Sequence, residues 1–169
     1  MDDVREIVTK AVVSKGKKLI KITETIDPGC DLCSILGVWV INHKYNAKII
    51  NINEVKITGS AEVDIWASQN SNTQTDVIRH NINYNELVKT RQLVKDLCND
   101  NLDVLVTITT TPSCTNVEVT ENGLVVEVTL EIVVEAIGET KVQVIICEPI
   151  ELLDDNFENE INEDFIKEG

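Results

Sequence analysis

The sequence predicts an all-β protein: an antiparallel β-sandwich of about eight strands, with at most one or two short helices and an acidic C-terminal tail. Hydrophobic residues make up 43% of the 169-residue chain but aromatic residues only 4%. Val, Ile and Leu must therefore fill the core, and β-branched side chains favour strands. Apolar and polar residues also alternate in many segments, as they do on strands with one buried face.

The clearest predicted strand is Leu124–Ala136, whose even-numbered residues are all apolar. Its odd-numbered positions carry glutamates that we interpret as a solvated sheet face: Glu127, Glu131 and Glu135. The tripeptide Glu121–Gly123 predicts a hairpin to an upstream strand. Gly138–Thr140 predicts a second turn, so that three strands would form a meander.

Earlier segments alternate in the same way, and their apolar positions are predicted to face the core. These positions are Ile20, Ile22, Ile26, Val55, Ile57, Ala61, Val63, Ile65, Ile78, Ile82, Tyr84, Leu102, Val104, Val106 and Ile108. The segment after Cys33 predicts a further core strand with Val38, Trp39 and Val40. Residues 2–13 and 85–99 fit both a helix and a strand pattern, and the sequence leaves them open.

The charge of the chain argues against a nucleic-acid partner. The formal net charge is −14, whereas binding to phosphates requires clustered Lys and Arg. The densest cationic cluster is Lys15, Lys17, Lys18 and Lys21, beside Gly16. We interpret it as a solvated turn in preference to a binding patch.

No segment resembles a secretion signal or a membrane span. The chain starts with the acidic stretch MDDVREIV, which lacks the basic and then apolar pattern of a signal peptide. No apolar run approaches the ~18 residues that a spanning helix needs. The expected product is a soluble protein without membrane insertion, made in a reducing cytosol where stable disulfides are not the default.

The composition changes at Glu148, which divides the chain into a predicted assembly domain, residues 1–147, and an acidic amphipathic tail, residues 148–169. The tail holds nine acidic residues and one lysine. Apolar side chains recur in it every four residues, at Leu153, Phe157, Ile161 and Phe165. Such a stripe can dock as a helix in the groove of a partner. The alternative is a disordered solubilising tail.

The pair Cys30 and Cys33 is the strongest candidate for metal or redox chemistry, and it is incomplete. Structural zinc sites usually combine two close pairs of ligands, and the remaining thiols and imidazoles are isolated in the sequence. A redox pair should begin a helix, but a predicted strand follows this one. The acidic residues Asp27 and Asp31 would raise thiol pKa values. We expect no cofactor and no metal.

The histidines and glycines give no sign of a catalytic centre either. We interpret His43 as an interior or strand-end polar residue, and His80 as a hydrogen-bonded core histidine. The seven glycines never fall in the spacing of a phosphate-binding loop. Outside the pair Cys30 and Cys33, the residues therefore give no sign of catalytic chemistry.

Five strings occur in one order: REIVTKAVVSKGKK at 5–18, SILGVWVINHKYNA at 34–47, VDIWASQNSNTQTDV at 63–77, PSC at 112–114 and VVEAIGETKVQV at 133–144. With this spacing the chain resembles the outer spore-coat morphogenetic protein family CotE of endospore-forming bacteria. The resemblance covers nearly all of residues 4–146. It is specific because several unusual strings recur together.

The resemblance implies a structural, self-assembling protein that is not an enzyme. Members of this family are made in the mother-cell cytoplasm and form a layer around the forespore. That layer links the inner coat, laid on a basal coat morphogenetic ATPase, to other spore coat proteins, and the acidic C-terminal region helps to recruit them. Carried over to this chain, the recruiting role falls on residues 148–169, and the final location is the outer coat of the spore.

The odd number of cysteines suggests bridges between chains. With five cysteines, one thiol stays free even if the others pair internally. We predict intermolecular disulfides in an oxidising coat, and the candidates are Cys30, Cys33, Cys98, Cys114 and Cys147. Two other functions stay open from the residues alone: a metal- or redox-active protein that uses Cys30 and Cys33, and a monomeric β-sandwich binding module.

Overall fold

A computed structural model, which describes residues 3–29 and 31–147, shows an all-β chain and confirms the predicted fold class. No helix occurs in these residues. The strands are β1 Asp3–Ile26, β2 Leu32–Asn51, β3 Glu54–Gln69, β4 Gln74–Lys89, β5 Arg91–Gln92, β6 Asp103–Thr120 and β7 Gly123–Ile146. β1 and β7, at 24 residues each, are far longer than average strands.

The strands form two antiparallel sheets in a sandwich-like arrangement. Sheet A has the order β5-β1-β7-β6, and sheet B has the order β2-β3-β4. The chain divides into two compact units. The larger unit covers residues 8–141. The described part of the smaller unit is residues 3–7, the first residues of β1, and residues 142–147, which include the last residues of β7.

The core lies where the predicted apolar rows of the two sheets face each other. In β3 every predicted inward residue is buried, as is every even-numbered residue from Leu124 to Ala136 in β7. The β6 row packs against this cluster while partly exposed: Val104, Val106 and Ile108. Burying these rows supplies the main favourable free energy of folding.

The turn predicted at Gly138–Thr140 is wrong, because β7 continues without interruption to Ile146. The segment between β5 and β6 crosses this part of the strand. A Cβ atom at Gly138 would lie 2.7 Å from Leu102 Cδ2, and the Thr140 hydroxyl donates a hydrogen bond of 2.9 Å to the carbonyl of Asp96. The glycine permits close packing here and does not turn the chain.

The turn predicted at Gly16 is wrong for a similar reason. β1 runs straight through this residue, and a Cβ atom there would lie 2.2 Å from the carbonyl oxygen of Lys89. Lys89 ends β4, so Gly16 marks the place where the chain crosses from sheet B to sheet A. The lysines around Gly16 therefore extend along a strand and do not surround a turn.

The structure also decides the two stretches that the sequence leaves open. Residues 3–13 belong to β1, so the strand pattern is correct there. Residues 85–89 end β4, the short β5 follows, and residues 93–99 run mostly without regular structure. The predicted hairpin at Glu121–Gly123 is confirmed, since it joins β6 to β7 with Thr120 opposite Gly123.

Candidate functional site

The outer face of sheet A is a neutralised surface. Lysines of β1 pair with the glutamates of β7 in three ion pairs: Lys15–Glu135 at 2.9 Å, Lys17–Glu131 at 3.0 Å and Lys21–Glu127 at 2.8 Å. Hydrogen bonds from these lysines lower the pKa of Glu127 and of Glu131. The glutamates do form a solvated sheet face, but each has a cationic partner. This face therefore offers little net charge to a ligand.

The outer face of sheet B carries an apolar patch that holds both tryptophans of the chain. Trp39 and Trp66 have ring centroids 6.5 Å apart and are 50% and 42% exposed. Ile41 and Val77 are exposed beside them. We name this surface the tryptophan face. It also includes the outward residues of β2, β3 and β4 between the tryptophans and Lys56. Exposed apolar clusters of this kind mark interaction surfaces.

The prediction that Trp39 belongs to a core strand is wrong for its side chain. Trp39 lies opposite Asp64 on the outward row, whereas Val38 and Val40 pack against the core. The pattern around Trp66 contains a usable signal. Trp66 shares its even-numbered row with Lys56 and Asp64, so alternation alone assigns it to the polar face.

Asp64 lies at the centre of the apolar patch. In the sheet it stands between Trp39 on β2 and Arg79 on β4. Arg79 Nε approaches Asp64 Oδ2 at 3.8 Å, while the buried Oδ1 has no hydrogen-bond partner. A carboxylate oxygen in this state lacks the donor that buried polar atoms normally have.

The other end of the tryptophan face is cationic. Lys44, Lys48 and Lys56 make no ion pair within the described residues. Lys48 lies directly opposite Lys56 in the register of β2 and β3. Like charges in directly opposed positions destabilise a sheet. The arrangement is one that an anionic ligand would relieve.

His43 forms a polar contact with Tyr84 at one edge of the core. A β-bulge at Asn42, with φ of 53°, interrupts the alternation of β2 just before His43. His43 Nε2 lies 2.7 Å from the Tyr84 hydroxyl. Burial lowers the pKa of His43, and burial together with Tyr45 raises the pKa of Tyr84 to about 12. Both groups are therefore neutral near pH 7, as expected for a structural hydrogen bond. His80 lies half-buried on the inward row of β4.

The rims of the sheets differ in regularity. β2 has four register shifts against β3, and β6 has three against β7. Bulges of this kind discourage pairing with another chain. β4 pairs with β3 without any shift, from Glu54 opposite Lys89 to Gln69 opposite Gln74. β4 is therefore the edge strand best suited to accept a further strand.

The structure places part of the predicted cysteine set. Cys98 and Cys147 are exposed, and Cys114 is half-buried, with burial raising its pKa. Cys33 is the second residue of β2. Cys30 lies outside the described residues, as does the whole predicted docking stripe: Leu153, Phe157, Ile161 and Phe165.

Residues 3–29 and 31–147, which the structure describes, contain neither a metal-binding cluster nor a membrane-spanning helix. There, no three His, Cys, Asp or Glu side chains gather into a group that could hold a metal ion. The same part contains no helix with the length and apolar character of a membrane span.

Comparison with known protein families identifies a family for this chain. The family model described as outer spore coat protein E (CotE) matches residues 3–168. No curated protein and no solved structure matches the chain. The family match covers almost the entire sequence, including the acidic C-terminal residues.

Proposed function

The chain belongs to the outer spore coat protein E family, and from this premise we propose that it is a structural scaffold that assembles into a layer. The family is one of structural coat proteins of the outer spore coat. We propose in addition that the chain is made in the mother-cell cytoplasm and self-associates around the forespore. The resulting layer would connect the inner coat, on its basal morphogenetic ATPase, to the outer coat proteins that it recruits.

The regular edge of β4 is the observation that best supports self-association. Lys18 Nζ donates a 3.0 Å hydrogen bond to the Leu87 carbonyl from the side of β4 opposite β3. The Thr90 amide, three residues on, points toward β3 and donates to Asn53. Because these directions alternate along an antiparallel strand, the odd-numbered residues of β4 turn their backbone groups away from β3. At Leu87 and Lys89 this rim is contacted by β1, so the free part of the rim runs from Thr75 to Asn85. Such a rim can template a strand from a second copy.

The substitution Asn83→Pro tests this rim without removing a backbone hydrogen bond to β3. We expect Asn83→Pro to block layer formation, because it removes an outward N–H group and edge proline opposes strand addition. Asn83→Ala keeps the N–H group and is the matched control. Electron microscopy and size-exclusion chromatography of both purified variants measure the effect. Assembly of the proline variant equal to that of the alanine variant would contradict a role for this rim.

The thiols are proposed to cross-link neighbouring copies by disulfide bonds once the coat becomes oxidising. We expect assembled wild-type protein to show reductant-sensitive oligomers on non-reducing electrophoresis, and Cys30→Ser/Cys33→Ser to lose many of them. Cys114→Ser is the control, since its half-buried thiol with a raised pKa forms less of the reactive thiolate. Identical monomer bands with and without reductant would refute cross-linking.

Residues 148–169 are proposed to carry contacts with partners. The support is the sequence alone: an acidic segment with an apolar residue at every fourth position. This spacing places the apolar side chains near one another on a helix surface. A segment of this type binds a surface that is apolar and cationic.

A further inference from the structure

The tryptophan face has the two properties that an acidic amphipathic segment requires, exposed apolar side chains and unpaired cations. We propose that this face binds the acidic tail, residues 148–169, of a second copy of the chain. The proposal rests on the self-association proposed above and names one contact within the layer. This contact adds to pairing of the β4 rim and does not replace it.

The tryptophan face and the tail carry opposite net charges. The face is cationic although the chain as a whole carries −14. Its cations are Lys44, Lys48, Lys56 and Arg79, and its carboxylates are Glu62 and Asp64. The tail holds nine acidic residues against one lysine. Opposite charges steer the two surfaces together and fix their relative orientation.

Two lysines of the face lie directly opposite each other in the sheet. Lys48 and Lys56 stand side by side without a counter-ion among the described side chains. On sheet A, by contrast, each lysine of the β1 row at positions 15, 17 and 21 faces a glutamate. A carboxylate from the tail would give the lysines of sheet B the counter-ion that the glutamates of β7 give the lysines of sheet A.

The tryptophan face and the tail both offer aromatic side chains for contact. Trp39 and Trp66 expose large rings next to Ile41 and Val77, and aromatic side chains dominate the energetics of interfaces. The tail offers two phenylalanines, Phe157 and Phe165, within its stripe. Rings from the tail can pack against the tryptophan pair while its carboxylates reach the lysines.

The length of the tryptophan face matches the length of a helical tail. Along β3 the face extends from Trp66 to Lys56, a distance of roughly 34 Å at the rise of a strand. If residues 148–169 form one helix, it would be about 33 Å long. A single tail can therefore contact both the apolar and the cationic end of one face.

Intrinsic fluorescence reports directly on this contact, because both tryptophans lie on the face and the tail contains neither Trp nor Tyr. The receptor is the full chain with the substitutions Leu153→Ser, Phe157→Ser, Ile161→Ser and Phe165→Ser. The ligand is a synthetic peptide of residues 148–169. We expect the peptide to shift the emission to shorter wavelength and to reduce quenching by acrylamide. Added salt should weaken both effects.

Two substitutions in this receptor make the test specific. Lys48→Glu should abolish the response, while placing a glutamate opposite Lys56 where it favours folding. Lys95→Glu is the control with the same change in net charge, since Lys95 is exposed in the segment after β5. An equal response in the two variants, or no response to the peptide in the unsubstituted receptor, would overturn the proposal.

Dilution of the wild-type chain tests whether a second copy supplies the tail. Protection of the tryptophans that is lost on dilution supports the proposal, and protection that is independent of concentration overturns it. Layers that form in the electron microscope with fully quenchable tryptophans would overturn this contact and leave the assembly proposal intact.

Discussion

Leu130→Ala is expected to lower the free energy of unfolding by about 2–5 kcal/mol, the cost of removing a large side chain from a packed core. Leu130 is 0% exposed and lies within β7, in the buried core cluster. β7 is flanked by β1 and β6, so backbone pairing on both sides limits how far the structure can collapse into the cavity. Urea unfolding of the dispersed chain, followed by circular dichroism, measures the change.

Leu19→Ala is the matched control for this prediction. Leu19 lies on β1 of the same sheet but is 63% exposed, so its truncation should change stability by less than about 1 kcal/mol. Similar losses for the two variants would mean that the inner face of β7 is not the centre of the core.

Gly16→Ala is expected to destabilise the chain by about 2–3 kcal/mol, although alanine is normally the more favourable residue in an ordered segment. The added Cβ atom would lie 2.2 Å from the Lys89 carbonyl oxygen. That oxygen belongs to the backbone where the chain leaves β4, so relief of the clash requires one of the two sheets to move. Unfolding in urea measures this loss as well.

Gly37→Ala makes the same chemical change in a strand of sheet B. Its Cβ atom would lie 2.8 Å from the end of the Trp39 ring, which is half exposed and can rotate away. We expect the free energy of unfolding to fall by much less than it does for Gly16→Ala. Equal losses would indicate that glycine content, and not the crossing at Lys89, determines stability.

Alternation in the sequence was sufficient to predict the class and the core of this protein. In β3 and in β7, the predicted inward residues are the buried ones, because successive side chains of a strand point to opposite faces whatever the partner strands are. The hairpin before β7 was also predictable, since its Asn-Gly pair favours a tight turn between strands. The family resemblance, carried by five short strings, was confirmed by a match over residues 3–168.

Features that depend on a second segment were not predictable. Gly16 and Gly138 look like turn residues in the sequence, yet each lies inside a long strand where other backbone or side-chain atoms approach closely. A glycine signals either a turn or a close approach, and only the position of the neighbouring segment distinguishes the two.

The sequence by itself therefore determined which residues are buried in β3 and in the first half of β7, the acidic character of the tail and the family. The tertiary structure decided which strands continue, which rim is regular and which surface gathers the tryptophans with unpaired lysines. The physical reason is that burial follows a local period of two residues. Register, bulges and the juxtaposition of residues such as Lys48 and Lys56 depend on how distant strands pair.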